Sequence, residues 1–187
     1  MSAQPLISDQ YRSQQAELHK NADYGVASVH WAPTVADLAR QAKPRHILDY
    51  GAGKGRLGAE LAKLLKQTFE LRQYEPAMPA LAAPPVPSDL VACIDVLEHI
   101  EPDCLDAVLD DLMRVTAKIG IYTIATGPAM KTLPDGRNAH LIQRPPSWWL
   151  PVLSRHFEVI HLQGSAGGFW VVVMPKADGP APEASPT

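Results

Sequence analysis

The chain has 187 residues, of which 46% are hydrophobic and 20% are charged. This length fits one domain that hides about 70% of its unfolded surface on folding. There are 17 basic and 20 acidic side chains, for a formal net charge of −3, which argues against a nucleic-acid partner because phosphate recognition usually requires a basic excess.

The cysteine pattern and the hydropathy argue against a metal-binding, disulfide-rich or membrane-spanning protein. Cys93 lies in an apolar run and is expected to be a buried small hydrophobe, and its spacing from Cys104 matches no metal motif or disulfide framework. We therefore predict no metal ligand. Residues 1–10 lack the apolar core of a signal peptide, and no run approaches the roughly 20 apolar residues of a membrane helix. These patterns favour a cytoplasmic protein.

Strands and helices alternate along the chain. Helices are predicted from residue 10 to about 21 and over 33–42, with Thr34 as the N-cap of the second, and then over 57–66, 102–115 and 147–155, the last capped by Ser147. Strands are predicted over 46–50, 69–74, 90–94, 119–125, 157–162 and 169–174. The order predicts an α/β, Rossmann-like doubly wound sheet that is mainly parallel, closed by an antiparallel strand.

Two segments depart from this alternation. Residues 76–88 contain five prolines, which exclude a regular helix or a central strand there. The tail 177–187 is low in complexity and is predicted to be disordered. Residues 1–176 are therefore predicted to form a single domain.

The first motif is the sequence DYGAGKG, which follows the first predicted strand. Gly51, Ala52 and Gly53 form a junction where glycine lets a ligand approach the backbone, and nucleotides bind at such junctions. Asp49 precedes the turn, where a carboxylate would repel a pyrophosphate and suit a cationic, phosphate-free nucleoside such as S-adenosylmethionine. The alternative is an aspartate that only accepts hydrogen bonds from turn amides.

The second motif is Glu75-Pro76, at the end of the second predicted strand. Glu75 lies 24 positions after Gly51, close to the spacing at which an acidic residue accepts hydrogen bonds from ribose hydroxyls. A solvated glutamate at a strand end is the alternative. The glycine junction at this distance favours the ribose role.

The third segment, DLVACIDVLEHI, runs from residue 89 to 100. Together, the segments DYGAGKG, YEP and DLVACIDVLEHI resemble the first, second and fourth motifs of the class I S-adenosylmethionine-dependent methyltransferases. The resemblance covers residues 44–126 well and the closing strands in outline. It departs from the family at residues 76–88, which are too short and too rich in proline for the usual helix and third strand. That edge strand is expected to be missing or vestigial, so no adenine contact is assigned.

The resemblance implies a role for each matching residue. Asp49 and the turn from Gly51 to Gly53 would hold the methionine part of the cofactor, and Glu75-Pro76 would lie at the ribose. Asp95 and Val96 would lie against the cofactor near its reactive end. Segments before the first strand often cover the cofactor in similar proteins, so residues 1–43 are predicted to form a helical lid that includes Tyr11, His19, Tyr24 and His30.

Two histidines are candidates for acid–base chemistry. Methyl transfer relies mainly on alignment and needs a base only when the acceptor must lose a proton early. His99 follows the third motif, and His140 lies in the loop after the fourth strand, so both are placed at the carboxyl edge of the sheet. The alternatives are a capping or packing role for His99 and a surface position for His140.

The favoured function is methyl transfer from S-adenosylmethionine to oxygen or nitrogen of a small molecule or glycan. Three alternatives remain: a lyase or cyclase that uses the same cofactor, a non-catalytic module that binds it, and a nicotinamide-dependent dehydrogenase. Asp49 argues against the dehydrogenase. The acceptor and the oligomeric state are not predicted.

Overall fold

The computed structural model describes residues 4–21, 24 and 27–176. The predicted disordered tail lies outside the described residues. The helices are α1 (Asp9–Leu18), α2 (Ala27–Ala42), α3 (Arg56–Leu64), α4 (Leu105–Val115) and α5 (Pro146–His156). The strands are β1 (His46–Tyr50), β2 (Glu70–Tyr74), β3 (Ser88–Ile94), β4 (Thr116–Ala125), β5 (Phe157–Ser165) and β6 (Gly168–Pro175).

The strands form one sheet in the order β2-β1-β3-β4-β6-β5. Strands β1 to β4 pair in parallel, while β6 pairs antiparallel with both β4 and β5. The predicted class, a mainly parallel Rossmann-like sheet with an antiparallel closing strand, is confirmed. Strand β2 lies on one side of β1 and β3 on the other. The carboxyl ends of β1 and β3 therefore form the crevice in which doubly wound folds bind ligands.

Apolar side chains leave the central strands alternately toward the two faces of the sheet. Ile47 packs with α2 and α3 on one face, whereas Leu48 packs with α4 and α5 on the other. Leu90 and Val91 of β3 divide in the same way. The two-residue period of a strand buried on both faces therefore builds two hydrophobic cores, one on each side of the sheet.

Helix α2 begins six residues earlier than predicted, at Ala27 rather than Pro33, so Thr34 lies inside the helix and is not its cap. Pro33 removes one helical hydrogen bond. However, four side chains at helical spacing are buried against the sheet: Ala32, Val35, Ala36 and Ala39. This tertiary burial outweighs the local cost of the proline, which a sequence pattern alone cannot weigh.

The start of α5 also differs from the prediction. Pro145 occupies the N-cap position and Pro146 the first turn, so Ser147 lies within the helix and makes no capping hydrogen bond. Proline suits the first turn because its missing N–H has no helical partner there. None of the described helices is both long enough and apolar enough to cross a lipid bilayer.

The proline-rich segment after β2 forms no strand. Among its described residues the regular element is a single 3₁₀ turn, Pro79–Leu81. The segment closes on itself through the hydrogen bond from Glu75 N to Leu81 O at 3.1 Å. Strand β2 is therefore the edge of the sheet, and the predicted loss of the third strand is confirmed.

Helix α3 offers a matched test of the core beneath the first motif. Leu61 is 0% exposed, whereas Leu64 on the same helix is 36% exposed. Leu61→Ala is expected to lower the free energy of unfolding by about 2–5 kcal/mol, because it leaves a cavity. Leu64→Ala should cost less than about 1 kcal/mol. Urea unfolding followed by circular dichroism measures both, and equal losses would contradict the assignment of this core.

Candidate functional site

A cavity of about 370 Å³ opens at the carboxyl ends of β1, β2 and β3. Its walls combine residues 51–53 of the glycine turn after β1 (residues 51–55), the ends of β2 and β3, and the N-terminal segment. The ten residues assigned from the sequence to cofactor binding or acid–base chemistry all line it: Asp49, Gly51, Ala52, Gly53, Glu75, Pro76, Asp95, Val96, His99 and His140. The fold thus brings both the cofactor candidates and the histidine candidates to one cavity.

Two backbone hydrogen bonds hold the glycine turn at the edge of the cavity. The N–H groups of Gly51 and Ala52 donate to the carbonyl of Tyr74, at 2.8 and 2.9 Å. Gly51 has a φ of 76°, and a Cβ on it would lie 2.4 Å from Cγ2 of Val96. Only glycine satisfies both constraints, so the close approach of the turn to Val96 requires this residue.

Asp49 is a buried carboxyl group with an unsatisfied oxygen. The residue is 1% exposed, and its Oδ2 has no hydrogen-bond partner among the described residues. Burial, and secondarily the neighbouring Glu75 carboxylate, raises the pKa of Asp49 to about 7. The turn amides therefore do not satisfy this group, and a cationic ligand in the cavity would stabilise its ionised form.

Glu75 is oriented by backbone amides on both sides. Gly53 N donates to Oε2 and Ala77 N donates to Oε1, each at 3.1 Å. The side chain is buried at the cavity wall, and His19 Nε2 lies 3.8 Å from Oε2, beyond hydrogen-bonding distance. The glutamate is therefore a fixed, preorganised acceptor and not a solvated residue at a strand end.

The turn after β3 holds Asp95 in an unusual conformation. Asp95 has a φ of 51°, which is uncommon for a residue other than glycine. Its N–H donates to Thr123 Oγ1 at 2.8 Å, and its carboxylate accepts a hydrogen bond from the same hydroxyl. Strained backbone that is stabilised by its surroundings occurs preferentially at functional sites.

The two histidines lie in contact, with ring centroids 4.7 Å apart. Nδ1 of His99 makes a 2.7 Å hydrogen bond to Ala139 O, and Nδ1 of His140 makes one of the same length to Gly127 O. Because a carbonyl only accepts, each Nδ1 carries a proton, and in the neutral form of each ring Nε2 is unprotonated. Burial, reinforced by His140, lowers the pKa of His99 to about 4.

Glu98 completes this group and was not singled out by sequence reasoning. It is 0% exposed, its Oε1 accepts a 2.8 Å hydrogen bond from Ala125 N, and its Oε2 has no partner among the described residues. Burial, and then the Asp95 charge, raises its pKa to about 8. The available signal was its position next to His99, in a motif in which Asp95, Val96 and His99 were assigned.

The N-terminal segment closes one side of the cavity through a chain of hydrogen bonds. Tyr24 donates to Gln15, Gln15 donates to Tyr11, and the Tyr11 hydroxyl donates to His99 O at 2.6 Å. Tyr11, Gln15, His19 and Tyr24 line the cavity. His30, in contrast, is exposed and packs against Trp31, so it does not belong to this wall.

Helix α5 carries two adjacent tryptophans, Trp148 and Trp149. Trp149 is buried in the core between α4 and α5, and Trp148 is partly exposed beside it. Neither lines the cavity.

Solved structures of other proteins share this architecture. No protein-family model and no curated protein sequence matches the chain at a significant level. The 1,6-didemethyltoxoflavin N1-methyltransferase of Burkholderia thailandensis, with its substrate and S-adenosylhomocysteine bound, matches with a TM-score of 0.62 and 17% identity, over 93% of each chain. The complex of DhpI with S-adenosylhomocysteine matches with a TM-score of 0.61 and 16% identity, over 89% of this chain and 97% of that one.

A third match is the mitomycin 7-O-methyltransferase MmcR, with a TM-score of 0.66 and 13% identity, over 87% of this chain and 61% of that one. The chain therefore shares the fold of these methyltransferase structures, as its motifs predicted.

The raised pKa of Asp49 predicts a pH-dependent cost to stability in the ligand-free protein. Its ordinary value of 3.8 rises to about 7 on folding, so the folded state holds the proton more tightly and loses stability as the pH rises between these values. Asn cannot ionise. The free energy of unfolding of Asp49→Asn should equal that of the parent near pH 4 and exceed it by up to about 4 kcal/mol at pH 8.

Urea unfolding at pH 4, 6 and 8 measures this difference. Asp37→Asn, on the exposed surface of α2, is the control and should show no comparable trend. If the difference in free energy of unfolding between Asp49→Asn and the parent did not change with pH, the raised pKa of Asp49 would be contradicted.

Proposed function

We propose that the protein is an S-adenosylmethionine-dependent methyltransferase that acts on oxygen or nitrogen of a small-molecule or glycan acceptor. The observation that carries the proposal is the unsatisfied carboxyl oxygen of Asp49, which is buried beside the glycine turn in the same cavity as the oriented Glu75. The bound S-adenosylhomocysteine in two of the matched structures supports the same cofactor.

The residues present fit the cofactor in chemistry and in size. A cavity of about 370 Å³ falls in the range of sites for small molecules and cofactors. Asp49 and the turn from Gly51 to Gly53 would hold the cationic methionine part, which would compensate the buried carboxylate. Glu75 would accept hydrogen bonds from the ribose hydroxyls, beside Pro76.

The walls at the carboxyl end of β3 would face the reactive part of the cofactor. The cofactor supplies a methyl group that is already activated by its sulfonium, so the protein mainly positions the acceptor and excludes water. Asp95 and Val96 shape this wall. The side chains of Tyr11 and Tyr24 cover it from the N-terminal segment, which acts as the lid of the site.

His99 and His140 would act on the acceptor. Each ring is held in one tautomer by its hydrogen bond to a backbone carbonyl and presents Nε2 with a free lone pair. Such a nitrogen can receive the proton of an acceptor hydroxyl or amine, or bind a cation that activates it. With 20 acidic against 17 basic side chains, the composition favours a small acceptor over a polyanion.

Calorimetry with S-adenosylhomocysteine tests the cofactor assignment. The parent should bind, whereas Asp49→Asn and Glu75→Gln should each lose affinity about tenfold to a hundredfold, because each removes hydrogen bonds made by a charged group. Asp37→Asn is the control and should bind like the parent. Heat with a nicotinamide dinucleotide and none with S-adenosylhomocysteine would overturn the proposal.

Product analysis separates methyl transfer from other uses of the same cofactor. Incubation with S-adenosylmethionine and a panel of hydroxylated and amino acceptors should yield S-adenosylhomocysteine and an acceptor heavier by one methylene unit. Mass spectrometry detects both. Methylthioadenosine formed without an acceptor would instead indicate a lyase or cyclase, and tight binding with no product across the panel would indicate a non-catalytic binding module.

A further inference from the structure

A cluster of potential metal ligands lies where His99 and His140 line the cavity. Glu98, His99 and His140 each offer one ligating atom, and these atoms lie within 4.8 Å of one another. We propose that this histidine–glutamate cluster binds a divalent cation that holds an oxygen acceptor for methylation. The binding site stands on these residues alone, while its role in catalysis rests on the proposed function.

The imidazoles are prepared for metal binding by their hydrogen bonds. Both Nδ1 atoms donate to backbone carbonyls, those of Ala139 and Gly127, at 2.7 Å. Histidines that bind metals usually donate their second ring N–H to a carbonyl or carboxylate, which fixes the tautomer and directs the other nitrogen at the metal. Nε2 is thus the ligating nitrogen of each ring.

Glu98 supplies the independent observation that points to a ligand. Its Oε1 is satisfied by Ala125 N, but Oε2 is fully buried without a hydrogen-bond partner among the described residues. A buried carboxylate oxygen without a partner is costly, and a cation in the cluster would remove that cost.

The rest of the loop keeps the cluster in place. Ile142 N donates to Glu98 O at 2.9 Å, and Asn138 Oδ1 accepts hydrogen bonds from the N–H groups of His140 and Ala129. The loop after β4 is therefore tied to the turn after β3 through Ile142, and it is held together internally through Asn138. This rigidity is what a metal site requires, because ligand positions must be set before the ion arrives.

The donor set selects the kind of cation. Two imidazole nitrogens and one carboxylate oxygen suit Mn²⁺, Fe²⁺, Co²⁺ or Zn²⁺ better than Mg²⁺ or Ca²⁺, which prefer oxygen ligands. Three protein ligands leave coordination positions open, as in catalytic rather than structural metal sites. Those positions would take acceptor oxygens.

The acceptor class follows from the open positions. An acceptor with two neighbouring oxygens, such as a vicinal diol, can bind the cation through both, which lowers the pKa of the bound hydroxyl and orients it. The hydroxyl proton leaves to solvent water. The acceptor oxygen then forms a bond to the methyl carbon while the carbon–sulfur bond breaks, and its electron pair stays on sulfur. The imidazole lone pairs bind the cation, so neither ring acts as the base.

Cation titration of the full chain tests the site directly. After treatment with EDTA and its removal, MnCl₂ is added and free Mn²⁺ is followed by electron paramagnetic resonance, with ZnCl₂ uptake measured by equilibrium dialysis. The parent should take up one Mn²⁺ or one Zn²⁺ per chain. Glu98→Gln and His140→Ala should weaken uptake at least tenfold, and His161→Ala, on the exposed edge strand β5, should not.

A parent that takes up neither ion, or cluster variants that bind as tightly as His161→Ala, would overturn the metal site. Circular dichroism confirms that each variant is folded. If Glu98→Gln does not fold, the comparison of His140→Ala with His161→Ala decides, because His140 lies in a loop.

Binding of S-adenosylhomocysteine to the same proteins separates the two proposals. Cluster variants that lose Mn²⁺ but keep cofactor affinity would support both. A parent that binds S-adenosylhomocysteine but no cation would overturn the metal site and leave the methyltransferase proposal standing. A parent that binds the cation but not S-adenosylhomocysteine would overturn the methyltransferase proposal and leave the metal site standing.

Discussion

The site depends on the tie between the glycine turn and the end of the neighbouring strand. Gly51 and Ala52 both donate to Tyr74 O, so the first turn cannot move independently of the residue that precedes Glu75. This geometry exists because β1 and β2 are parallel and in register up to Tyr50 and Tyr74. Parallel pairing brings their carboxyl ends to the same edge, and a buried aspartate and an oriented glutamate thereby face one cavity.

The same edge carries buried carboxyl groups that the fold by itself does not favour. Asp49 and Glu98 each have a buried carboxylate oxygen without a described partner, and burial raises the pKa of both. A core optimised only for stability would place apolar side chains there. Natural proteins tolerate such costs where function requires them. Asp49 lines the cavity, and Glu98 is next to His99, which also lines it. Two such groups are the pattern expected of a site completed by ligands.

The N-terminal segment connects the two ends of the cavity. Lys54 of the glycine turn donates to His19 O at 2.6 Å, and Tyr11 donates to His99 O. The segment therefore contacts both the glycine turn and His99 of the histidine–glutamate cluster. A ligand that displaced either contact would disturb the same N-terminal wall of the cavity.

Local sequence determined the elements and one half of the site. The two-residue period of β1 and β3, the glycine turn and the prolines after β2 each act over a few residues, so they predicted the sheet, the junction of Asp49 with Gly51, and the missing edge strand. Spacing along the chain also placed Glu75, since one helix separates β1 from β2.

Tertiary structure decided what depends on distant segments. Burial against the sheet stabilises α2 on both sides of Pro33, although the local helix propensity of proline opposes a helix there. The loop after β4 brought His140 onto His99, 41 positions earlier in the chain, and left Glu98 Oε2 buried between elements that the sequence does not show to be neighbours. Hydrogen bonds from Nδ1 to backbone carbonyls leave Nε2 of each ring available for a ligand. Tautomers and metal-binding geometry are set by such three-dimensional contacts and not by residue order.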